Sequence, residues 1–146
     1  LSKYRSFREM LEATLERYHA GAVTAAEVVR AMVEIRREME AEDERKRETG
    51  LSDEELAFYD AIAGLEGEAY DVPFLCDLVR EVTEAVKRNL KVDWTKPHRE
   101  NVKASVQAAV KMVLRRRGVR KDHFQFILNR VMEQAEARYE SWPMAA

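Results

Sequence analysis

Glycine and proline, which most often interrupt regular secondary structure, are scarce in this chain. It has five glycines and three prolines among 146 residues, roughly half the usual share. Few positions can therefore form tight turns. Between them, apolar residues recur every three or four positions, which is the spacing of one helix face. The sequence predicts an all-α fold, a single-domain helical bundle of about six helices over residues 1–146.

Three capping signals predict where helices begin. Thr24–Glu27 and Ser52–Glu55 have the spacing of a capping box, in which the first side chain accepts a hydrogen bond from the amide of the fourth residue. Asp122 is expected to begin the last helix. Phe58 and Tyr59 fall on the apolar face of the short helix that follows the second box. These signals divide the chain into helices with short connections.

The second predicted helix changes character along its length. Its first half carries an apolar stripe, and its second half, residues 40–48, is polar on all sides. A helical tail of this kind projects into solvent or contacts a polar partner. The residues predicted to form the apolar stripe are Val28, Val29, Met32, Ile35 and Met39.

Two connections lack helical periodicity. Gly64–Pro73 is predicted to be a loop of about ten residues and the most mobile segment. Val92–Thr95 is predicted to be a short extended connection in which Trp94 buries its ring while Asp93 or Thr95 caps the next helix. The acidic and lysine residues around Trp94 superficially resemble a metal-dependent nuclease pattern, but that arrangement needs carboxylates on adjacent strands, and no strand is predicted.

The sequence disfavours several functional classes. It has no glycine-rich phosphate loop, and its three histidines share no metal-ligand spacing with one another or with Cys76. One cysteine allows no internal disulfide and suits a reducing compartment, so we expect a cytoplasmic protein. No segment approaches the length of a membrane span. The first residue is Leu1 rather than methionine, so we expect a fragment of a larger chain.

Charge is distributed unevenly along the sequence. Residues 96–121 contain nine basic side chains and one acidic, whereas residues 38–60 contain ten acidic and three basic. The basic segment could contact DNA phosphates or an acidic protein surface, or the two segments could neutralise each other. Its densest part, named here the basic cluster, is expected to contact a partner or DNA and consists of Lys111, Arg115, Arg116, Arg117, Arg120 and Lys121.

Several segments together resemble the C-terminal helical domain of type I restriction endonuclease R subunits. The resemblance is carried by Glu42–Arg45 leading into Gly50–Ala61, by Val92–Lys96, and by the flanking segments Phe7–Glu27 and Val131–Glu136. It depends most on Trp94 and on the motif residues Ser52, Glu55, Phe58 and Tyr59. Three segments depart from the family pattern: Val102–Gln107 is less basic, Gly118–Val119 replaces a common glycine-tyrosine pair, and Gly64–Pro73 matches poorly.

The resemblance implies a place in a restriction-modification system. R subunits join a nuclease to ATP-driven domains that move double-stranded DNA, and they act with modification (methyltransferase) and specificity subunits. The C-terminal region is expected to dock this motor onto the methyltransferase core. ATP and Mg²⁺ would then belong to other parts of the parent hydrolase, and this fragment would have no cofactor, metal or catalytic site.

Three hypotheses follow for this chain. The first is an assembly module in which the basic cluster docks, with Phe126 and Tyr139 as apolar anchors. The second is a domain that guides duplex DNA without sequence preference. The third is an independent enzyme with a carboxylate pair in a cleft.

Overall fold

The computed structural model describes residues 2–67 and 69–143, and side chains from residue 6 onward. Within these residues the chain forms six α-helices and no β-strand, so the all-α prediction is confirmed. The helices are α1 (Ser2–His19), α2 (Ala25–Thr49), α3 (Asp53–Ala61), α4 (Val72–Asn89), α5 (Glu100–Arg116) and α6 (Phe124–Tyr139). Internal contacts divide the chain into two compact units, which we name the N-terminal unit (residues 1–53) and the C-terminal unit (residues 54–146).

The N-terminal unit is built from α1 and α2, which pack against each other. The short connection between them turns at Gly21, whose φ of 76° is in the left-handed region. Thr24 caps α2, because its hydroxyl accepts a hydrogen bond from the Glu27 amide at 3.2 Å. At the other end, Gly50 is left-handed and its amide donates to the Lys46 carbonyl at 2.9 Å. The predicted ends of the second helix are therefore confirmed.

The buried face of α2 is narrower than its sequence indicates. Val28 and Ile35 are buried, and Met39 is half-buried. Val29 and Met32, which we also expected to be buried, are 59% and 48% exposed. A single packed helix covers only a narrow strip of its neighbour, so the prediction of a continuous five-residue stripe was wrong for these two positions.

The C-terminal unit contains the larger core. α4 has eight buried residues and packs against α5, which in turn packs against α6. The valines of α5 recur on one face, so the helix buries that face and leaves the opposite one in solvent. Among the side chains that the structure describes, the largest fully buried ones all lie in this unit. They are Trp94, Tyr139, Phe58, Leu56, Ile62, Leu75, Leu78, Leu114, Ile127, Val79, Val82 and Val86.

The segment between α3 and α4 is more structured than predicted. A helical turn over Ala63–Leu65 follows α3, and both Leu65 and Tyr70 are buried. Asp71 then caps α4, because its carboxylate accepts from the Phe74 amide at 2.9 Å. The irregular stretch is consequently shorter than the ten residues expected.

Three predicted details of the later connections were wrong. Val92–Thr95 forms turns rather than an extended segment, and Asp93 has a left-handed φ of 57°. Neither Asp93 nor Thr95 caps α5, because a helical turn over Pro97–Arg99 separates them from it. Asp122 likewise lies in a turn over Lys121–His123, and α6 begins only at Phe124.

Candidate functional site

The basic cluster lies where α5 ends and the chain turns towards α6. α5 continues to Arg116 and closes at Gly118, whose φ of 76° reverses the backbone. The Val119 amide then donates to the Leu114 carbonyl at 3.0 Å, and the Val119 side chain is buried. All six side chains of the cluster are exposed. They are therefore presented to solvent from a backbone that is fixed on both sides of the turn.

Three of the six cations pair with acidic side chains of the same unit. Arg116 and Arg117 both contact the Glu81 carboxylate of α4, with the Arg116 pair at 3.7 Å. The hydrogen bond from Arg117 holds the pKa of Glu81 below its ordinary value. Arg120 makes a two-point contact with Asp122 at 3.1 and 2.6 Å. These three arginines share two carboxylates, so this half of the cluster is partly neutralised within the chain.

The other three cations have no such pairing. Among the residues that the structure describes, Lys111, Arg115 and Lys121 have no carboxylate within 4.0 Å. Met112, next to Lys111 on α5, is 62% exposed. These pairs are not the neutralisation between residues 96–121 and 38–60 that the sequence left open, because both Glu81 and Asp122 lie outside the acidic segment. The residues available for a partner are the unpaired half.

Tyr70 fixes the turn that carries Arg120. Its hydroxyl accepts a hydrogen bond from the Arg120 amide at 3.0 Å and lies 2.8 Å from His123 Nδ1. Its ring stacks on Phe74 with the centroids 5.2 Å apart. Our sequence reasoning missed this residue because it placed Tyr70 in a mobile loop. The signal that could have revealed it is an aromatic residue directly before the Asp71 cap.

The Trp94 side chain lies in the core of the C-terminal unit. Trp94 is fully buried, as predicted, and its indole nitrogen donates to the Tyr139 carbonyl at 2.8 Å. The Tyr139 hydroxyl donates to the Glu54 carboxylate, which also pairs with Lys87 at 2.9 Å. Phe58 lies beside the same tyrosine, with ring centroids 6.3 Å apart. Trp94 and Tyr139 therefore stabilise the core of the unit and are not accessible to a partner.

The hydrogen bond to Glu54 has consequences for both groups. Burial and that hydrogen bond together raise the pKa of the Tyr139 hydroxyl. Burial also raises the pKa of Glu54, but the hydrogen bonds from Tyr139 and Lys87 outweigh it and leave that pKa below its ordinary value. The Glu54 carboxylate is therefore charged at neutral pH and satisfied by two donors.

The structure separates the other predicted residues. Tyr139 is fully buried, so its assignment as an exposed docking anchor was wrong; Phe126 is 36% exposed and its ring lies under Arg130. Tyr59 is buried, and its hydroxyl donates to Glu66 at 2.8 Å. Ser52 directly precedes α3, and Glu55 is half-buried in the first turn of that helix. None of these side chains joins the basic cluster.

A shallow groove elsewhere in the C-terminal unit is mainly acidic. It is lined by Thr95, Lys96, Glu133, Glu136, Ala137 and Glu140, and Glu136 also pairs with Lys103 at 3.5 Å.

Over residues 2–67 and 69–143, no three His, Cys, Asp or Glu side chains are grouped so as to hold a metal ion. In the same part of the chain, no helix has the length and apolar character needed to span a membrane.

Comparison with known proteins identifies the family. Residues 1–141 match the model of the family described as type I restriction enzyme HindI endonuclease subunit-like, C-terminal, and the chain belongs to that family. The resemblance found in the sequence is therefore confirmed. No solved structure matches the chain.

Two curated relatives carry corresponding names. The chain is 27% identical to a protein of Methanocaldococcus jannaschii named as the MjaIXP type I restriction enzyme endonuclease subunit. The alignment spans 120 residues and covers 81% of this chain and 11% of that protein. It is also 26% identical to the type I restriction enzyme HindI endonuclease subunit of Haemophilus influenzae. That alignment spans 139 residues and covers 93% of this chain and 13% of that protein. The chain thus corresponds to a small part of each relative.

Proposed function

We propose that this chain is the C-terminal assembly domain of the R subunit of a type I restriction-modification system. In this role it docks the ATP-dependent DNA translocase and endonuclease onto the methyltransferase core, formed by the modification and specificity subunits. The family match supports the parent system. The observation that carries the docking role is the unpaired half of the basic cluster, where Lys111, Arg115 and Lys121 have no carboxylate partner among the described residues.

Within this proposal the chain performs no chemistry of its own. The relatives named above are roughly eight to nine times longer than the segment matched here. Nucleotide hydrolysis, DNA movement and cleavage, with the ATP and Mg²⁺ they need, would then belong to other parts of a cytoplasmic parent subunit. The contribution of this chain is a rigid helical surface.

The proposal is tested by binding of the chain to the modification–specificity complex of the same restriction system. We expect a stable complex in analytical ultracentrifugation at low salt, with affinity that falls as salt rises, because exposed charges are screened. Absence of binding even at low salt would contradict the docking role.

Non-specific binding to duplex DNA is the second candidate, because unpaired cations also suit phosphates. If three cations neutralise three phosphates, the logarithm of affinity falls with the logarithm of salt concentration with a slope of about −0.9 per phosphate. A gel shift with a duplex of arbitrary sequence at low salt measures this directly. Absence of any shift would exclude DNA guidance by this chain alone.

A further inference from the structure

We propose that the docking surface is the solvent face of α5 formed by Lys111, Met112 and Arg115, and that its partner is a protein surface with an apolar side chain beside carboxylates. This inference rests on the proposed docking function and adds to it which residues make the contact. It also names the chemistry of the partner, which distinguishes a protein from a nucleic acid.

Internal ion pairs make half of the basic cluster less favourable as a contact for a partner. Arg116 and Arg117 are held by Glu81, and Arg120 is held by Asp122. A partner that recruited these arginines would have to break contacts already made within the unit, which lowers the net gain. Lys111 and Arg115 require no such exchange. They lie one helical turn apart on the same face, so they can contact one partner together.

No carboxylate on the same stretch opposes their charge. From Asn101 to Lys121 the sequence has one acidic-free run of 21 residues. The turns that precede Lys111 carry the small exposed residues Ala104, Ser105 and Ala108. Because these side chains are short, a partner can approach the helix closely while meeting the two cations at its far end. Beyond Glu100 in its first turn, α5 therefore has no carboxylate that offsets the positive charge of this face.

Met112 favours a protein partner over a nucleic acid. It adjoins Lys111 and lies within a turn of Arg115, and it is 62% exposed. Burying a methionine against an apolar group is favourable, and methionine and arginine are enriched at protein interfaces. Phosphates offer no apolar surface for it. An exposed methionine beside two cations thus fits a protein surface that presents an apolar residue next to acidic ones.

The surface is also fixed in place before a partner arrives. Behind it, Val106, Val110 and Val113 anchor α5 in the core. The helix end is held by the Val119 amide, which bonds to Leu114, and by the Arg117 contact with Glu81. Little backbone freedom therefore remains to be lost on binding, which favours a specific contact.

The test compares variants of the complete chain for binding to the modification–specificity complex. We expect Lys111→Glu with Arg115→Glu to weaken binding at least about tenfold, and Met112→Gln alone to weaken it by about tenfold. The matched control is Lys91→Glu with Arg130→Glu. It makes the same change in charge at exposed positions of the same unit, and it should stay within about twofold of the unmodified chain.

The possible outcomes separate this inference from the function on which it rests. If the unmodified chain binds and all three variants bind equally well, the docking face lies elsewhere although the docking role stands. If the unmodified chain does not bind the complex, the proposed function itself is wrong. If the double reversal abolishes a gel shift with duplex DNA while Met112→Gln has no effect on any binding, the face is a nucleic-acid surface and the inference is overturned. Circular dichroism should show unchanged helicity in each variant.

Discussion

The two units of this chain bury the side chains of their helices to different extents. α2 is 25 residues long and buries only Val28 and Ile35, whereas α4 is 18 residues long and buries eight residues. The exposed parts of the N-terminal unit carry ion pairs one turn apart, such as Arg36 with Glu40 at 3.1 Å. Each such pair contributes only about 0.2–0.5 kcal/mol.

The difference shows two ways of stabilising a helix. In the C-terminal unit, apolar burial and the hydrogen bonds of Trp94 and Tyr139 fix the packing. In the N-terminal unit, end caps and exposed ion pairs carry a larger share, because fewer side chains are removed from water. We therefore expect core substitutions to act most strongly in the C-terminal unit, and local signals to matter relatively more in the N-terminal unit.

The largest expected effect is that of Trp94→Ala. Removing a fully buried indole leaves a cavity and loses the hydrogen bond to the Tyr139 carbonyl. We expect the free energy of unfolding of the C-terminal unit to fall by about 3–5 kcal/mol, as measured by urea denaturation followed by circular dichroism. Trp94→Phe keeps most of the packing and should cost clearly less. If the free energy of unfolding of the alanine variant fell by less than about 1 kcal/mol, the stability of this core would not depend on Trp94.

A smaller and more local effect is expected for Ile35→Ala in α2. Ile35 is buried, but few other side chains of α2 are. We expect a loss of about 2 kcal/mol, at the low end for such substitutions, seen as faster hydrogen exchange of α1 and α2 amides. Val33→Ala, at a position 51% exposed, should change exchange little. Equal effects of the two substitutions would show that Ile35 is not a packing residue.

The helix caps allow a direct comparison between the units. Thr24 caps α2 and Asp71 caps α4, each by accepting the amide hydrogen bond of the residue three positions on. Thr24→Ala and Asp71→Ala should each cost about 1 kcal/mol. Hydrogen exchange should rise around α2 in the first variant and around α4 in the second. A uniform rise across both units in either variant would contradict independent local stabilisation.

The smallest expected effect concerns pH and Glu54. Because the pKa of Glu54 is lower in the folded state than its ordinary value of 4.5, its charged form stabilises the fold. This contribution is present above pH 4.5 and is lost as pH falls through the lower folded-state pKa. With the side chain 30% exposed, solvent screening keeps it on the order of 1 kcal/mol or less.

The corresponding measurement is the free energy of unfolding against pH for Glu54→Gln. Above pH 4.5 the variant should be less stable than the unmodified chain, and the two curves should converge as the pH falls below the folded-state pKa. Glu84→Gln, at an exposed carboxylate on α4, serves as the control and should leave the curve nearly unchanged. A constant difference at every pH would assign the effect to packing instead of charge.

Much of the fold follows from signals that are local in sequence. The start of α2 at Thr24 and its end at Gly50 each depend on residues within four positions of each other. Both boundaries can therefore be predicted from the sequence alone. The burial of Trp94 was also predictable from its aromatic size and its position between two helices. The boundaries that failed, at Asp93 and Asp122, lie where short helical turns compete with a direct cap.

The candidate site was predictable only in part. The basic cluster is visible as a dense run of cations, but the half that pairs internally is not, since Glu81 lies 36 positions before Arg117. The burial and hydrogen bonding of Tyr139 could not be predicted from the sequence either. Its spacing near the end of α6 does not reveal that its carbonyl accepts the Trp94 indole from 45 positions away.

The sequence by itself determined that this chain is helical, where α2 begins and ends, and that cations concentrate near the end of α5. These follow because periodicity, capping and charge are properties of neighbouring residues. The tertiary structure decided which of those cations remain unpaired and which aromatic residues are withdrawn into the core. Ion pairing and burial depend on which distant residues the packed helices bring within a few ångströms, and no local pattern specifies those distances.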